Sequence, residues 1–330
     1  DAAVAAAAVL CVCEPMSTGV GGDAFALVWN DGALTGLNAS GRAPMGVDPE
    51  ALREIAMYGR TAVTVPGAVS GWAALLGRHG RWGLDRCLSP AIDAARLGFA
   101  VTPVIGRAWA ELAPMLAADP ELARCYAPAP AVGVIATNPA LASSLERIAA
   151  EGPDALSAGP IADAICAASW LTHEDLASHR SEWVAPLRLA YRDIEVLELP
   201  PNGWGAAALQ ALGIAAGFDL TGASDADRVH LQAEAIKLAF SDARRYIGDG
   251  PLPEGYLDAA YLARRRAEID WSRARHPTPG ELPAGGTVYL CVVDEDGMAC
   301  SFIQSLYHGF GARVGAPGTG IALHNRGAGF

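Results

Sequence analysis

The 330-residue chain is short of several things that define common functional classes. Its 24 basic residues are outnumbered by 36 acidic ones, for a net charge of −12, and apart from Arg264-Arg265-Arg266 they are scattered. Phosphate backbones require a clustered basic face, so nucleic acid is not expected as a partner. The longest apolar run, residues 2–13, falls short of the ~20 residues a helix needs to cross a bilayer, so no membrane span is expected. Seven cysteines are an odd and dispersed set. The close pair Cys11 and Cys13 has neither disulfide-framework nor zinc-knuckle spacing, and buried free thiols are the expectation. No Gly-x-Ser-x-Gly elbow occurs, and His173 and His179 lack the i,i+4 spacing that sets two imidazoles on one metal. Serine-hydrolase and zinc-protease chemistry are thereby set aside.

What is present is apolar material. A hydrophobic content of 52% suffices for one large core or two packed lobes, since single cores stop growing near ~250–300 residues. Residues 1–13 have a helical, alanine-rich pattern that ends at Glu14-Pro15, and a glycine-rich loop follows over 17–22. Segments 25–29 and 34–38 predict a hairpin closed by Asn30-Asp31-Gly32. Residues 67–150 are mainly helical and suggest a helical lobe. Thr172 followed by Asp175 predicts a helix cap. Strands are expected at 187–191 and 195–199, helices at 205–216 and 227–247, and a protease-sensitive linker over 251–286. The strand pattern of 287–294 and 298–305 is interrupted by Glu295-Asp296-Gly297. Runs of helix mixed with antiparallel hairpins predict an α+β fold.

Gly19-Val20-Gly21-Gly22-Asp23-Ala24 fits a dinucleotide-binding pattern in letters alone. That pattern requires a strand before it and a helix after it, and here the order is reversed. Thr287 taken by itself is the first residue of a strand after Gly285 and Gly286.

The motifs acquire meaning together. Glu14-Pro15-Met16-Ser17-Thr18-Gly19-Val20-Gly21-Gly22, Val65-Pro66-Gly67, Pro90-Ala91-Ile92-Asp93, Leu171-Thr172-His173-Glu174-Asp175-Leu176, Pro200-Pro201-Asn202-Gly203 and the 230–242 helix occur in one order. Gly286-Thr287, Gly309-Phe310-Gly311 and Pro317-Gly318-Thr319-Gly320 continue it. This series, spread over the whole chain, resembles the gamma-glutamyltransferase family. The resemblance implies an αββα sandwich of the N-terminal-nucleophile hydrolase kind: two stacked antiparallel sheets between helical layers, with the helical lobe at about 67–150. Residues 1–286 would be the large-subunit portion and 287–330 the start of the small subunit, the two forming a heterodimer cut from one precursor. The sequence reads as a fragment, without an initiator Met or a leader that would assign a compartment.

The resemblance further implies self-cleavage between Gly286 and Thr287, after which Thr287 is nucleophile and Ser305 its supporting hydroxyl. The partners are a small amide or peptide substrate and water or an amine acceptor, with no metal or organic cofactor. Glutathione-type gamma-glutamyl substrates are the family's. The position of the family's carboxylate-binding arginine falls on Ser40, with Arg42 two residues on, and Tyr307 and Arg326 stand where the family has asparagine and part of an Asn/Asp run. A pocket stripped of both charge partners would bind a gamma-glutamyl zwitterion poorly, by roughly 3–5 kcal/mol for a broken buried pair. Tyr307, His308 and Arg326 suggest instead a carboxylate-bearing acyl group such as a dicarboxylic monoamide. An amidase resembling the cephalosporin acylases, or a non-catalytic scaffold, are the alternatives.

Overall fold

The computed structural model describes residues 1–48, 54–275 and 287–329, and of Thr287 and Val288 the backbone only. Two compact units are present: residues 1–33, 37–182 and 283–330 form the first, and residues 34–36 and 183–282 the second. The helices between 68 and 151 group with the sheet in the first unit. Gly286 and the Pro277–Pro283 part of the expected linker lie outside the described residues.

The first unit is built on helix α1 (Ala2–Cys13), whose small residues Ala3, Val4, Ala7, Ala8, Cys11 and Val12 are buried. Pro15 cannot extend that helix. Strand β1 (Asp23–Asn30) then turns into β2 (Ala33–Ala39) through Asp31 and Gly32, both left-handed at φ 49° and 76°. Two positive φ values in a row give the turn whose twist matches its strands, and Asp-Gly supplies it without steric cost. Helix α2 (Ala68–His79) and helix α3 (Leu84–Leu97) follow. The short strand β3 (Glu182–Val184) leads into the second unit, and β6 (Thr287–Val293) and β7 (Ala299–Ser305) follow it in the chain.

The sheet order is β3-β2-β1-β7-β6. The late hairpin therefore adds to the early one, with β7 antiparallel to β1 on one side and to β6 on the other. Alternation then sorts the faces. Ala24, Ala26, Val28, Phe302 and Gln304 are buried, whereas Trp29, Tyr289 and Ile303 are exposed. Gln304 ties the covered face to both helices: its Oε1 accepts from Trp72 Nε1 at 2.8 Å, and its Nε2 donates to Cys11 Sγ and Thr18 Oγ1, each at 3.0 Å. This is one large sheet with helices on one face. The second sheet and the outer helical layer of the expected sandwich are not among the described residues.

Segments 103–126 and 306–322 share a core of Trp109, Leu116, Leu122, Tyr126, Leu306 and Phe310. Helix Pro120–Tyr126 within it starts from an Asp119 cap with proline at its first position. The expected cap at Thr172 is present as a reciprocal capping box with Asp175.

The second unit packs a hairpin, β4 (Leu187–Tyr191) and β5 (Ile194–Glu198), with helices α4 (Gly205–Ala215), α5 (Asp225–Tyr246) and α6 (Ala259–Arg266). Leu189, Leu209, Ile214, Leu238 and Leu262 form its core. Asp242 is buried there but satisfied, accepting from Gln210 Nε2 at 2.9 Å and Tyr261 OH at 2.8 Å, with Arg265 Nε at 3.0 Å.

Candidate active site

Three residues stand level across the sheet: Thr287 opposite Ser305, and Ser305 opposite Asp23. This follows from the two registers alone, because β7 lies between β1 and β6. The glycine loop before β1 lets the chain approach closely. A Cβ on Gly22 would collide with the Ser305 carbonyl, and one on Gly21 with the Ala322 carbonyl. Those glycines serve backbone packing, consistent with the dinucleotide reading being set aside.

The segment after β7 folds back over this end of the sheet. Leu306 N donates to Ser17 O at 3.2 Å, Phe310 N to Met16 O at 2.9 Å and His324 N to Gly21 O at 3.0 Å. Ser305 is buried, and its Oγ accepts from Tyr307 N–H at 2.7 Å. Tyr307 itself has φ 75°, a left-handed value that a bulky residue rarely adopts, so local packing holds it there.

Arg326 is engaged. Its Nε donates to Asp23 Oδ2 at 2.5 Å and its Nη2 to Asp23 Oδ1 at 3.1 Å, while its Cζ lies 4.7 Å from the centre of the Tyr307 ring. Asp23 is fully buried and the Arg326 side chain 16% exposed. Burial works against the guanidinium charge, but the Asp23 carboxylate outweighs it and holds the Arg326 pKa above its ordinary value. The pair is therefore a neutralised, two-point contact. Beside it, the buried His324 donates from Nε2 to Thr64 O at 2.9 Å, and its Nδ1 lies 3.9 Å from Asp23 Oδ2. A carbonyl can only accept, so Nε2 carries the hydrogen in that bond. Burial depresses the His324 pKa more than Asp23 raises it, keeping the ring neutral at pH 7.

The residues expected at the carboxylate end make contacts of their own. Ser40 donates from both N and Oγ to its neighbour Asn38 Oδ1, at 3.0 and 2.7 Å. Arg42 has a 77% exposed side chain and faces Glu182 at 3.8 Å. Asp23, His324, Tyr58 and Arg313 were not singled out from sequence. Asp is disfavoured within strands, so an Asp opening a strand after four tight residues was the available signal for the first of them.

Next to Tyr307 an aromatic row continues. The Tyr307 and His308 rings lie 5.2 Å apart, His308 meets Tyr58 edge-on at 6.2 Å, and Arg313 Cζ lies 3.5 Å over the Tyr58 ring. His308 is buried, and burial together with the nearby Arg313 charge pulls its pKa down. Asn325 fixes the row from beneath, accepting from His308 N at 3.1 Å and donating to Met57 O at 2.8 Å.

The chain has clear relatives among known proteins. The family model described as gamma-glutamyltranspeptidase matches residues 1–330. The glutathione hydrolase-like YwrD proenzyme of Bacillus subtilis is 36% identical over 350 residues, covering 100% of this chain and 66% of the relative. The acylase ACY 1 proenzyme of a Pseudomonas species is 34% identical over 360 residues, covering 98% and 64%. Among solved structures, cephalosporin acylase from Bacillus halodurans superposes with a TM-score of 0.91 at 42% identity, covering 99% of this chain and 64% of that one. The chain thus spans just under two thirds of the length of these relatives. With its α+β architecture and its glycine loop, β6–β7 hairpin and return segment in the family's order, the chain belongs to the gamma-glutamyltranspeptidase family.

Proposed function

We propose that the protein containing this chain cuts itself between Gly286 and Thr287 and then uses Thr287 as an N-terminal nucleophile for amide hydrolysis or acyl transfer. The observation that carries this reading is the position of Thr287: first residue of β6, level with the buried Ser305, at the end of the sheet over which the return segment folds. In the first step the Thr287 hydroxyl attacks the Gly286 carbonyl and the Gly286–Thr287 amide becomes an ester. Water hydrolyses that ester, leaving Gly286 as a carboxylate and Thr287 with a free α-amine. An α-amine with a pKa near ~7.7–8.0 is partly neutral at physiological pH and takes the hydroxyl proton in later turnovers. The substrate's acyl group is then held as a Thr287 ester, the amine half leaves with that proton, and water or an amine acceptor releases the acyl group. Ser305 supports the nucleophile from the neighbouring strand.

Gamma-glutamyl amides of the glutathione type are the family's substrates. An acylase reading with a different acyl group is favoured by one observation: Ser40 bonds to Asn38 and Arg42 points to Glu182 at an exposed position. Neither supplies a buried arginine for a glutamate α-carboxylate. Turnover of gamma-glutamyl-4-nitroanilide against glutaryl-4-nitroanilide by the full-length protein tests this. Preference for the glutaryl compound is expected, and equal or better use of the gamma-glutamyl compound would return the protein to glutathione chemistry.

A further inference from the structure

Two arginines end the aromatic row, and among the described residues only one has an acid. Arg326 is neutralised by Asp23 through two hydrogen bonds. Arg313 has no ion pair among the described residues. Its Nε is buried without a hydrogen-bond partner among the described residues. A buried donor left unmade costs about 1–3 kcal/mol, so the position is disfavoured unless an acceptor arrives. Its guanidinium plane is nonetheless held, lying 3.5 Å over the ring of Tyr58. That stacking removes much of the rotamer freedom an arginine would lose on binding a ligand. His308, buried between Tyr58 and Tyr307, is neutral at pH 7 because burial and Arg313 both lower its pKa, so one ring nitrogen remains a donor without adding charge. At the other end of the row, the backbone N–H of Tyr307 donates to Ser305 Oγ, and Ser305 stands opposite Thr287.

From this geometry we infer that Arg313, stacked on Tyr58, is the residue that binds a carboxylate of the amide substrate, while Arg326 is a structural cation held by Asp23. The inference rests on the reading of Thr287 as nucleophile. It assigns the substrate an anionic group and places it at the Tyr58–Arg313 end of the row. A planar guanidinium with free N–H groups suits a carboxylate two-pronged. Such a carboxylate belongs either to the acyl half, as in a dicarboxylic monoamide, or to the amine half, as in an amide of an amino acid.

The test compares three substrates with the full-length, processed protein and its Arg313→Gln and Arg313→Lys variants. Glutaryl-4-nitroanilide carries the carboxylate on the acyl side, its methyl ester carries none, and butyryl-4-aminobenzoate carries it on the amine side. Losing a charge-assisted hydrogen bond should lower selectivity for one carboxylate substrate over the ester about ten-fold or more, through KM rather than kcat. Arg313→Lys, which keeps the charge but not the planar stack, should fall between. Which of the two carboxylate substrates responds identifies the half. Selectivity unchanged in Arg313→Gln, or all three substrates weakened alike, would overturn the inference. If no substrate is turned over, the reading of function fails, and titration calorimetry with glutarate and 4-aminobenzoate still decides this point. Binding weakened about ten-fold by Arg313→Gln upholds the site, whereas neither anion binding to the wild type refutes it.

Discussion

Arg326 and Arg313 lie at opposite ends of one row of rings and are treated in opposite ways. At the first end a fully buried aspartate meets the guanidinium at two points and a tyrosine covers it. At the second a half-exposed tyrosine carries the guanidinium and no carboxylate answers it among the described residues. Buried charge is tolerated when paired, so the Asp23 end is built to hold the fold. A stacked cation without an acid among the described residues adds little to stability and stays available to a ligand. The difference teaches that positive charge counted from sequence says little about which charge is available.

Perturbing each end should separate the two roles. The largest effect is expected for Asp23→Ala, which strands Arg326 in a buried position. Urea unfolding should show a loss of about 3–5 kcal/mol, and the double variant Asp23→Leu/Arg326→Met should recover much of it. Equal stability of Asp23→Ala and wild type would mean that the pair is not structural. Next, Gln304→Leu on the neighbouring strand β7 asks whether the sensitivity of this region needs charge at all. It leaves Trp72 Nε1 buried without an acceptor, and a loss of roughly 1–3 kcal/mol is expected in the same assay.

A third perturbation uses pH. His179 has its pKa pushed from 6.5 down to about 4, by burial first and then by Arg180, Arg42 and His324. Between those values the unfolded chain binds a proton that the native state refuses. Stability should therefore fall as pH drops from about 6.5 toward 4, at no more than about 1.4 kcal/mol per pH unit. His179→Gln should flatten that slope, and an unchanged slope would assign it to other groups. The smallest effect belongs to the Tyr58 end. Arg313→Met should cost under about 1 kcal/mol, in the range of an exposed cation–ring contact. It should also let the His308 pKa rise in an NMR titration, since Arg313 is one of the two causes of its depression. A loss as large as that of Asp23→Ala would make Arg313 structural too.

Local elements were legible in the sequence because local chemistry sets them. The Asp31-Gly32 turn, the Thr172–Asp175 cap and the helix ending before Pro15 each follow from a few adjacent residues. Thr287 and Ser305 emerged from the order of motifs, and their opposition comes from the β6–β7 hairpin, again a near neighbour in sequence. The pairing of β7 with β1 was not legible, since it joins residues as far apart as Asp23 and Ser305 by a register that only packing selects. Asp23 was missed for that reason. Its role comes from Arg326, brought to it by the return segment. The same folding back sets His324 beside Thr64 and Arg313 over Tyr58. Arg326 stood out in the sequence as a charge, but whether that charge was spent could be read only from its partner.

The most direct test of the whole account is intact mass with N-terminal sequencing of the full-length protein after expression. A small subunit beginning at Thr287, absent from Thr287→Ala, is the expected result. A chain that stays uncut while folded would contradict it and leave the protein a non-catalytic member of its family.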